Sequence, residues 1–527
     1  MTRRDKITQF VAHHRTCTRV RAPEGEFVVV FNPEVAELIA RPFTTATVRH
    51  IGTRFAPIMH ITLTSTGYAQ AADRVGGGTQ DVTHYDAVWV RDSAWVYHAL
   101  AEIRERAHDA RTLILALWDY YATDAQRLRF DEIIGHPQRA SDKMKVPHVR
   151  FDGRAPDLGD VLVDGIPQVW NHRQNDAHGL FLVALADAAI RGLVKVHDLT
   201  AARAAVLARF PSYFAAINFE TFEDAGAWEE IDRRNTSSIA LVTRGLQSWT
   251  TLLYEPPWGT GDFAARFHTL MGAEEASLAR WWQESHLRLL SARGLAAVRQ
   301  QLHAGGESPG YDPSDLRFRR ADAALLFLLT PEPLAGLCES EMRRILDIVG
   351  TLQRPAGILR YEGDSYQSGN FWLRTATNRS YGRQRTPTDD ASTIAGFKRR
   401  HAHFIPHTEA QWFFDSLLAQ ARLHLAAITG TEGMRQNDIH RAALHLKRAL
   451  GQLTGNLSDA PLIAADGTAI APDILPESIN TILVSGKRYL LPSPIAPLNW
   501  SKAALSMALT RFARIACDDT IAYGPLS

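Results

Sequence analysis

The sequence predicts a mainly helical protein, and three observations lead to this prediction. Eleven segments repeat apolar residues at the spacing of one helical face, as in residues 92–106, where Trp95, Val96 and Ala99 recur together. Few strand-like runs separate these segments. No short sequence repeat is present, which argues against a regular solenoid. Helices stacked in pairs into a toroid fit the pattern, and an irregular α-solenoid fits it equally well.

The predicted elements follow one another along the chain. Residues 26–31 and 59–64 are short and β-branched, which is typical of strands, and the run Gly76-Gly77-Gly78 then breaks the chain. Helices are predicted over residues 92–106, 109–123, 176–193, 199–217, 237–253, 274–302, 322–329, 339–352, 408–429, 434–453 and 500–516. We therefore expect a mixed N-terminal segment, residues 1–80, packed on one helical domain, residues 81–527.

Composition narrows the classes of function. Apolar residues make up 45% of the 527, enough for a large core. Lysine and arginine total 58 against 57 acids, so nothing favours nucleic acid as a partner. The three cysteines are widely spaced, the 21 histidines form no zinc-binding pair motif, and no apolar run predicts a membrane span or a secretory signal. We expect a cytoplasmic protein without metal or cofactor, and the sequence leaves its oligomeric state open.

Five predicted loops combine tryptophan or tyrosine with a carboxylate, often beside an arginine. They are residues 85–92, 170–176, 228–230, 359–366, and 475–477 together with 497–503. Gathered at one end of a helical barrel, such loops would form an acidic, aromatic pocket suited to a neutral polyhydroxylated ligand. Taken singly, each is also compatible with a surface loop, in which Asp92 and Asp176 would cap helices.

The triplet Trp228-Glu229-Glu230 is the strongest of these signals. A carboxyl group beside apolar surface and a second negative charge is pushed towards its protonated form. A carboxyl group that stays protonated near neutral pH can act as a general acid. A solvated acidic helix end is the alternative interpretation of the triplet taken alone.

The first loop resembles a motif of glycoside hydrolase family 15, the glucoamylases and their relatives. Trp89-Val90-Arg91-Asp92-Ser93 is similar to the family's Trp-x-Arg-Asp-Ser, and Tyr85 occupies the aromatic position four residues earlier. The other loops resemble further family motifs in the same order, up to residue 503. The resemblance implies an (α/α)6 barrel that binds a terminal glucose. The substrate-binding residues that it implies are Tyr85, Trp89, Arg91, Asp92, Trp170, Gln174, Asp176, Trp228, Glu230, Arg360, Tyr361, Asp364 and Trp500.

The resemblance also implies the chemistry, an exo-acting and inverting hydrolysis of a short soluble α-glucoside. It assigns the general acid to Glu229. Inversion needs a second carboxylate as base, across a gap of about 6.5–9.5 Å that holds the water. Glu477 matches the family's base best, although it lies 23 residues before Trp500, and Glu409 is the competitor. The linkage that would be cleaved stays open.

Two alternatives remain at this stage. Residues 146–151, 357–366 and 408–412 look more like the helical domain of the phosphorylase kinase α and β subunits. That resemblance implies a non-catalytic protein that senses carbohydrate or regulates an enzyme. A helical scaffold that binds another protein through its aromatic loops is the second alternative. The basic run 398–400, followed by His401 and His403, is predicted to be a surface loop or a lid over the pocket.

Overall fold

The computed structural model describes residues 3–72, 84–368, 391–402 and 404–516. The predicted chain break at residues 76–78 and the side chain of His403 lie outside these ranges.

Helices dominate the described residues, as the periodicity predicts. They are α1 (Arg3–His13), α2 (Pro33–Ala40), α3 (Thr45–Phe55), α4 (Val90–Ala101), α5 (Ala107–Tyr121), α6 (Asp124–Gly135), α7 (Asn175–Ile190), α8 (Ala201–Ile217), α9 (Thr236–Tyr254), α10 (Asp262–Met271), α11 (Ala276–Ala279), α12 (Glu284–Ala304), α13 (Glu339–Gly350), α14 (Ile394–His401), α15 (Asp415–Ile428), α16 (Glu432–Leu450) and α17 (Asn499–Ala516). The helix predicted over 322–329 is a 3-10 helix, Ala323–Leu328. The helix predicted from residue 408 begins only at Asp415, because Gln411 and Trp412 join a sheet.

Six elements form a closed inner ring. In order they are α4, α7, α9, the 3-10 helix Ala323–Leu328, α15 and α17, and α17 packs back on α4. An outer layer covers the ring: α5 lies against α4, α12 against α9, α13 against the 3-10 helix, α16 against α15, and α3 against α17. The protein is therefore an (α/α)6 barrel, and the closed ring rules out the open solenoid that the sequence also allowed.

The inner helices are buried on nearly every side, which explains their continuous apolar sequence. In α4, every residue from Val90 to Leu100 is buried, and α7 is buried almost throughout. Glycine lets α7 and α9 approach closely. A Cβ added at Gly179 would lie 2.4 Å from the carbonyl carbon of Leu241 on α9.

The strands are short and hold the loops at one end of the barrel. They are β1 (Thr18–Ala22), β2 (Gly25–Val29), β3 (Val88–Trp89), β4 (Arg150–Phe151), β5 (Leu162–Val163), β6 (Ile166–Pro167), β7 (Gln353–Arg354), β8 (Gly357–Ile358), β9 (Gln411–Trp412), β10 (Ser478–Val484) and β11 (Lys487–Pro492). The last five form one antiparallel sheet in the order β11-β10-β9-β8-β7. Strand β3 pairs with β4, so that Trp89 lies opposite Arg150.

One strand prediction is confirmed and the other is wrong. The predicted strand over 26–31 corresponds to β2. Residues 59–64 form no strand, because their backbone is bound by side chains instead of a neighbouring strand. Lys502 Nζ donates to the His60 carbonyl at 3.1 Å, and Arg106 Nη2 donates to the Ile61 carbonyl at 2.5 Å. Among the described helices, none has both the length and the apolar character needed to cross a bilayer.

The close approach of α7 and α9 makes Gly179 sensitive to substitution. Gly179→Ala should lower the free energy of unfolding by about 1–3 kcal/mol, because the added methyl group overpacks the helix crossing. Gly52→Ala in α3 is the matched control, since a Cβ there meets nothing within 4 Å and alanine favours helix by up to about 1 kcal/mol. Urea denaturation of both variants checks this, and equal midpoints for the two would contradict it.

Candidate active site

The cavity of interest lies at the end of the barrel where the inner helices begin. Its volume is about 60 Å³, several times the ~10–15 Å³ that one water needs. It brings together nine of the residues predicted from sequence: Tyr85, Trp89, Arg91, Asp92, Trp228, Glu229, Arg360, Glu477 and Trp500. Ala71, Ala227, Tyr366, Arg400, Trp412 and Leu498 complete its wall.

Glu229 is presented to this cavity by an unusual backbone. It ends the 3-10 turn Gly226–Trp228 in the left-handed region, with φ of 59°, which is uncommon for a non-glycine residue. Trp89 Nε1 donates to Glu229 Oε1 at 2.8 Å, and Arg91 Nη1 lies 3.5 Å from the same oxygen. Burial raises the pKa of Glu229 and outweighs the opposing effect of the Arg91 charge.

Glu230, the next residue, lies in the opposite environment. Its carboxylate is 1% exposed, and the Tyr361 hydroxyl, which donates to it, lies 2.7 and 2.8 Å from its two oxygens. Arg400 and Arg360 also donate to it, and two further arginines lie within 4 Å. Burial alone would raise the pKa of Glu230, but the four guanidinium groups lower it well below its usual range. Glu230 does not line the cavity, so its predicted contact with a sugar stays a prediction.

Glu477 is the second carboxylate in the cavity wall, directly before β10. The Tyr85 hydroxyl donates to Glu477 Oε1 at 2.7 Å, and the Gln367 side-chain amide donates to Oε2. Tyr366 hydrogen-bonds to Tyr85 at 2.9 Å and lies 3.4 Å from both oxygens of Glu477. Burial raises the pKa of Glu477 to about 7, although these donors oppose the shift.

Glu409, the competing candidate for the base, lies elsewhere. Its Oε1 accepts the Gly363 backbone N–H at 3.1 Å, and the residue is not part of the cavity wall. Of the two candidates, the fold brings only Glu477 into the same cavity as Glu229.

Arg91 holds the first loop against the second. It donates through Nε to Asp176 at 2.6 Å and through Nη2 to Gln174 at 2.5 Å. Asp92 and Asp176 lie inside the first turns of α4 and α7, so neither is the helix cap that the sequence also allowed. Burial raises the pKa of Asp92 to about 7, against the effect of Arg91. Gln174 and Asp176 lie behind the cavity wall.

Trp170 lies against the outer side of Trp89 rather than in the cavity wall. The two rings meet edge to face at 6.0 Å. The guanidinium of Arg150 covers both, 4.6 Å from Trp89 and 4.0 Å from Trp170. The Tyr85 ring lies 5.4 Å from Trp89 on the cavity side, so the aromatic wall is fixed before any ligand arrives.

Arg360 is held by a two-bond pair with Asp364. Its Nε and Nη2 each donate to one oxygen of Asp364 at 2.7 Å. The guanidinium also lies over the Trp228 and Trp412 rings, at 5.3 and 5.1 Å. Asp364 and Tyr361 lie outside the cavity wall, so their predicted contact with a substrate stays a prediction.

Several residues of the cavity wall were missed from sequence. Arg400 belongs to the run predicted to be a surface loop or a lid over the pocket, but that run is part of helix α14, whose buried face carries Phe397 and Arg400. The three-residue spacing of Phe397 and Arg400 is the sequence signal that could have placed both side chains on one buried helix face. Trp412 and Tyr366 sit within segments that were noted, but nothing in their spacing pointed to the cavity.

A histidine cluster supports the aromatic wall from behind. His148 stacks on His172 at 3.6 Å, and with Asp160 they offer ligand atoms within 4.8 Å of one another. His148 Nδ1 lies 2.6 Å from Asp160 and its Nε2 lies 2.9 Å from the Met144 carbonyl. Both ring nitrogens of His148 face acceptors, so hydrogen bonding accounts for this cluster without a metal ion.

Comparison with known proteins finds a family model that matches part of this chain. The family model described as glycosyl hydrolases family 15 matches residues 55–255, a range that includes Trp89, Arg91, Trp170 and the triplet 228–230. A solved structure described as a wild-type glycosidase is 16% identical with a TM-score of 0.52, and covers 91% of this chain and 98% of its own. A variant glycosidase in complex with glucose aligns with the same values. Their likeness shows the fold.

Two curated relatives come from Escherichia coli strain K12. The uncharacterized lipoprotein YgeQ is 40% identical over 147 residues, which is 27% of this chain and 56% of that protein, so the match spans little more than half of it. The putative protein YgeP is 32% identical over 96 residues, 18% of this chain and 92% of that protein. The sequence match to glycosyl hydrolases family 15 covers residues 55–255, and the helical barrel extends the likeness in fold over most of the chain.

Proposed function

We propose that the protein is an exo-acting, inverting hydrolase that releases glucose from the non-reducing end of a short soluble α-glucoside. The observation that carries this proposal is the presence of two carboxyl groups, Glu229 and Glu477, in the wall of one small cavity. Burial raises the pKa of each above its usual range. A protonated and an ionised carboxyl group facing one substrate are what glycoside hydrolysis requires, and inversion requires in addition a gap between them that holds the attacking water.

In this proposal Glu229 is the general acid. Its carboxyl group transfers a proton to the glycosidic oxygen as the bond to the anomeric carbon breaks. The Trp89 N–H and Arg91 hold its Oε1, which leaves the other oxygen to carry the proton. Arg91 then also stabilises the carboxylate that forms once the proton has left.

Glu477 is the general base. It removes a proton from the water that attacks the anomeric carbon from the opposite face, so an α-glucoside yields β-glucose. The donors Tyr85, Tyr366 and Gln367 surround its oxygens and favour the ionised form. Tyr85 thus both lines the sugar site and keeps the base charged.

The remaining wall fits a terminal sugar ring. Arg91, Asp92 and Arg360 offer donors and an acceptor to hydroxyl groups, and Trp228, Trp412 and Trp500 offer apolar faces. A cavity of about 60 Å³ favours action on a chain end rather than within a chain. A cytoplasmic location remains a proposal from composition.

Substitution of the acid tests the proposal most directly. Glu229→Gln should lower kcat on maltose and other glucobioses by about 10²–10⁴-fold and leave KM within a few-fold, because general acid catalysis contributes that much. Kinetics on both proteins, with NMR of the anomer released by the unaltered protein, give the readout. Release of α-glucose would rule out inversion, and glucose binding without any turnover would favour the non-catalytic alternative.

The identity of the base has its own matched pair of variants. Glu477→Gln should abolish nearly all turnover, by about 10²–10⁴-fold. Glu409→Gln should retain most activity, since Glu409 binds a backbone N–H outside the cavity wall. The reverse order of the two kcat values would assign the base to Glu409.

The pH dependence follows from the raised pKa of Glu477. The base works only when ionised, so kcat/KM should fall as the pH drops through about 7. Tyr85→Phe removes a donor that favours the carboxylate, and the acidic limb should therefore move to higher pH. Tyr68→Phe, whose hydroxyl donates to the Ala116 carbonyl instead, is the control and should leave the limb in place. An unchanged limb in Tyr85→Phe would contradict this assignment.

A further inference from the structure

The end of the barrel opposite the cavity holds a second concentration of charged and histidine side chains. The inner helices begin at the cavity, and Arg244 follows the start of α9 by eight residues, about 12 Å deeper. The group is formed by side chains from five inner elements and their loops. Its members are His98, Glu102, Asp187, Arg191, Arg244, Glu332, His424, Arg511 and Arg514.

Arg244 differs from the other arginines of this group. Its side chain is 4% exposed, and its Nη1 donates to the carbonyls of Thr330, at 3.2 Å, and of Glu332. Nε and Nη2 are buried without any hydrogen-bond partner. Within the described ranges, no carboxylate oxygen lies within 4 Å of its guanidinium. A buried guanidinium in this condition is strongly unfavourable unless something compensates its charge.

The other arginines nearby do have such compensation. Arg191 pairs with Asp187 at 2.8 Å, Arg511 with Glu102 at 2.6 Å, and Arg514 with Glu102 at 3.5 Å. Glu332 and Asp187 attract Arg244 only from a greater distance, so Arg244 is the arginine of this group that has no described carboxylate within 4 Å.

The unused edge of Arg244 has a known geometry. The Nε–H and Nη2–H bonds point in parallel and donate two hydrogen bonds to one oxyanion. The Nε and Nη2 groups of Arg54 donate in this way to Glu34, at 2.9 and 2.8 Å. Those of Arg360 donate to Asp364, both at 2.7 Å. In Arg244 both nitrogens of this edge are buried, and neither has a hydrogen-bond partner among the described residues.

His98 supplies a further donor. It is 6% exposed, and its Nε2 is likewise buried without a partner. Burial and then the charge of Arg244 lower the pKa of His98, so its ring is neutral and one nitrogen can donate an N–H. Burial lowers the pKa of Arg244 to about 10, so the guanidinium is still charged at neutral pH.

We propose that the closed end of the barrel binds one small monovalent anion, a halide or a short carboxylate, between the Nε/Nη2 edge of Arg244 and Nε2 of His98. The anion neutralises the one guanidinium of this group that lacks a carboxylate. It also joins α4 to α9 across the ring, so it stabilises the barrel without touching the substrate cavity. The site is independent of the proposed hydrolysis.

Crystals of the unaltered protein grown with sodium bromide or with sodium formate test the proposal directly. We expect an anomalous bromine peak, or planar formate density, within about 3.5 Å of Arg244 Nε and Nη2. The bromide and formate crystals distinguish a halide site from a carboxylate site. Water alone at this position in both crystals would overturn the proposal.

Thermal unfolding gives a second and independent readout. The Tm of the unaltered protein should show a saturable difference between solutions with and without sodium bromide or sodium formate, because a ligand that binds only the folded state stabilises it. Arg244→Met should remove this difference to within about 1 °C. Arg209→Met, which removes a surface arginine already paired with Asp131, should keep it. An equal change in Tm for Arg244→Met and Arg209→Met on addition of the anion would overturn the proposal. If Arg244→Met does not fold, the bromide and formate crystals provide the test.

Discussion

The burial of Glu230 among four arginines organises the whole loop end of the barrel. One carboxylate, 1% exposed, receives donors from the loop after β8 and from helix α14. Arg319, before the 3-10 helix Ala323–Leu328, lies 3.5 Å from it as a further ion-pair partner. Buried charges interact strongly because little water screens them, so a carboxylate at this depth needs positive charges beside it. Arg360 and Arg400 therefore reach the cavity wall in fixed positions, because each is anchored to Glu230 on its other side.

The same arrangement places two neighbouring glutamates in different electrostatic environments. The left-handed backbone at Glu229 turns its side chain to the cavity while Glu230 turns inward. The sequence argument expected the negative charge of Glu230 to keep Glu229 protonated. The arginines around Glu230 neutralise that charge, and burial is instead the main cause of the raised pKa of Glu229.

The sequence predicts this site well where a residue belongs to a loop that opens an inner helix. Arg91, for example, could be placed because its motif directly precedes the apolar pattern of α4. Residues brought in by the five-stranded sheet could not be placed, since Trp412 belongs to a two-residue strand that no periodicity reveals. Arg400 follows two other basic residues, a pattern typical of an exposed segment. Only its three-residue spacing from Phe397 indicates that it lies on the buried face of a helix. The strand prediction for residues 59–64 is wrong because β-branched composition indicates only a preference for strands. It does not reveal the side-chain donors that bind this backbone.

Closure of the ring ties together parts of the chain that are made at very different times. Arg511 of α17 donates to Glu102, just beyond α4, across 409 residues of sequence. Helix α3, which precedes α4, also needs α17 to cover its apolar face. During synthesis on the ribosome, apolar surface of the first helices therefore stays exposed until the last described helix emerges. Such long-range pairing raises contact order and prolongs exposure of apolar surface, so chaperone assistance should matter more for this barrel than for a helical bundle of local contacts.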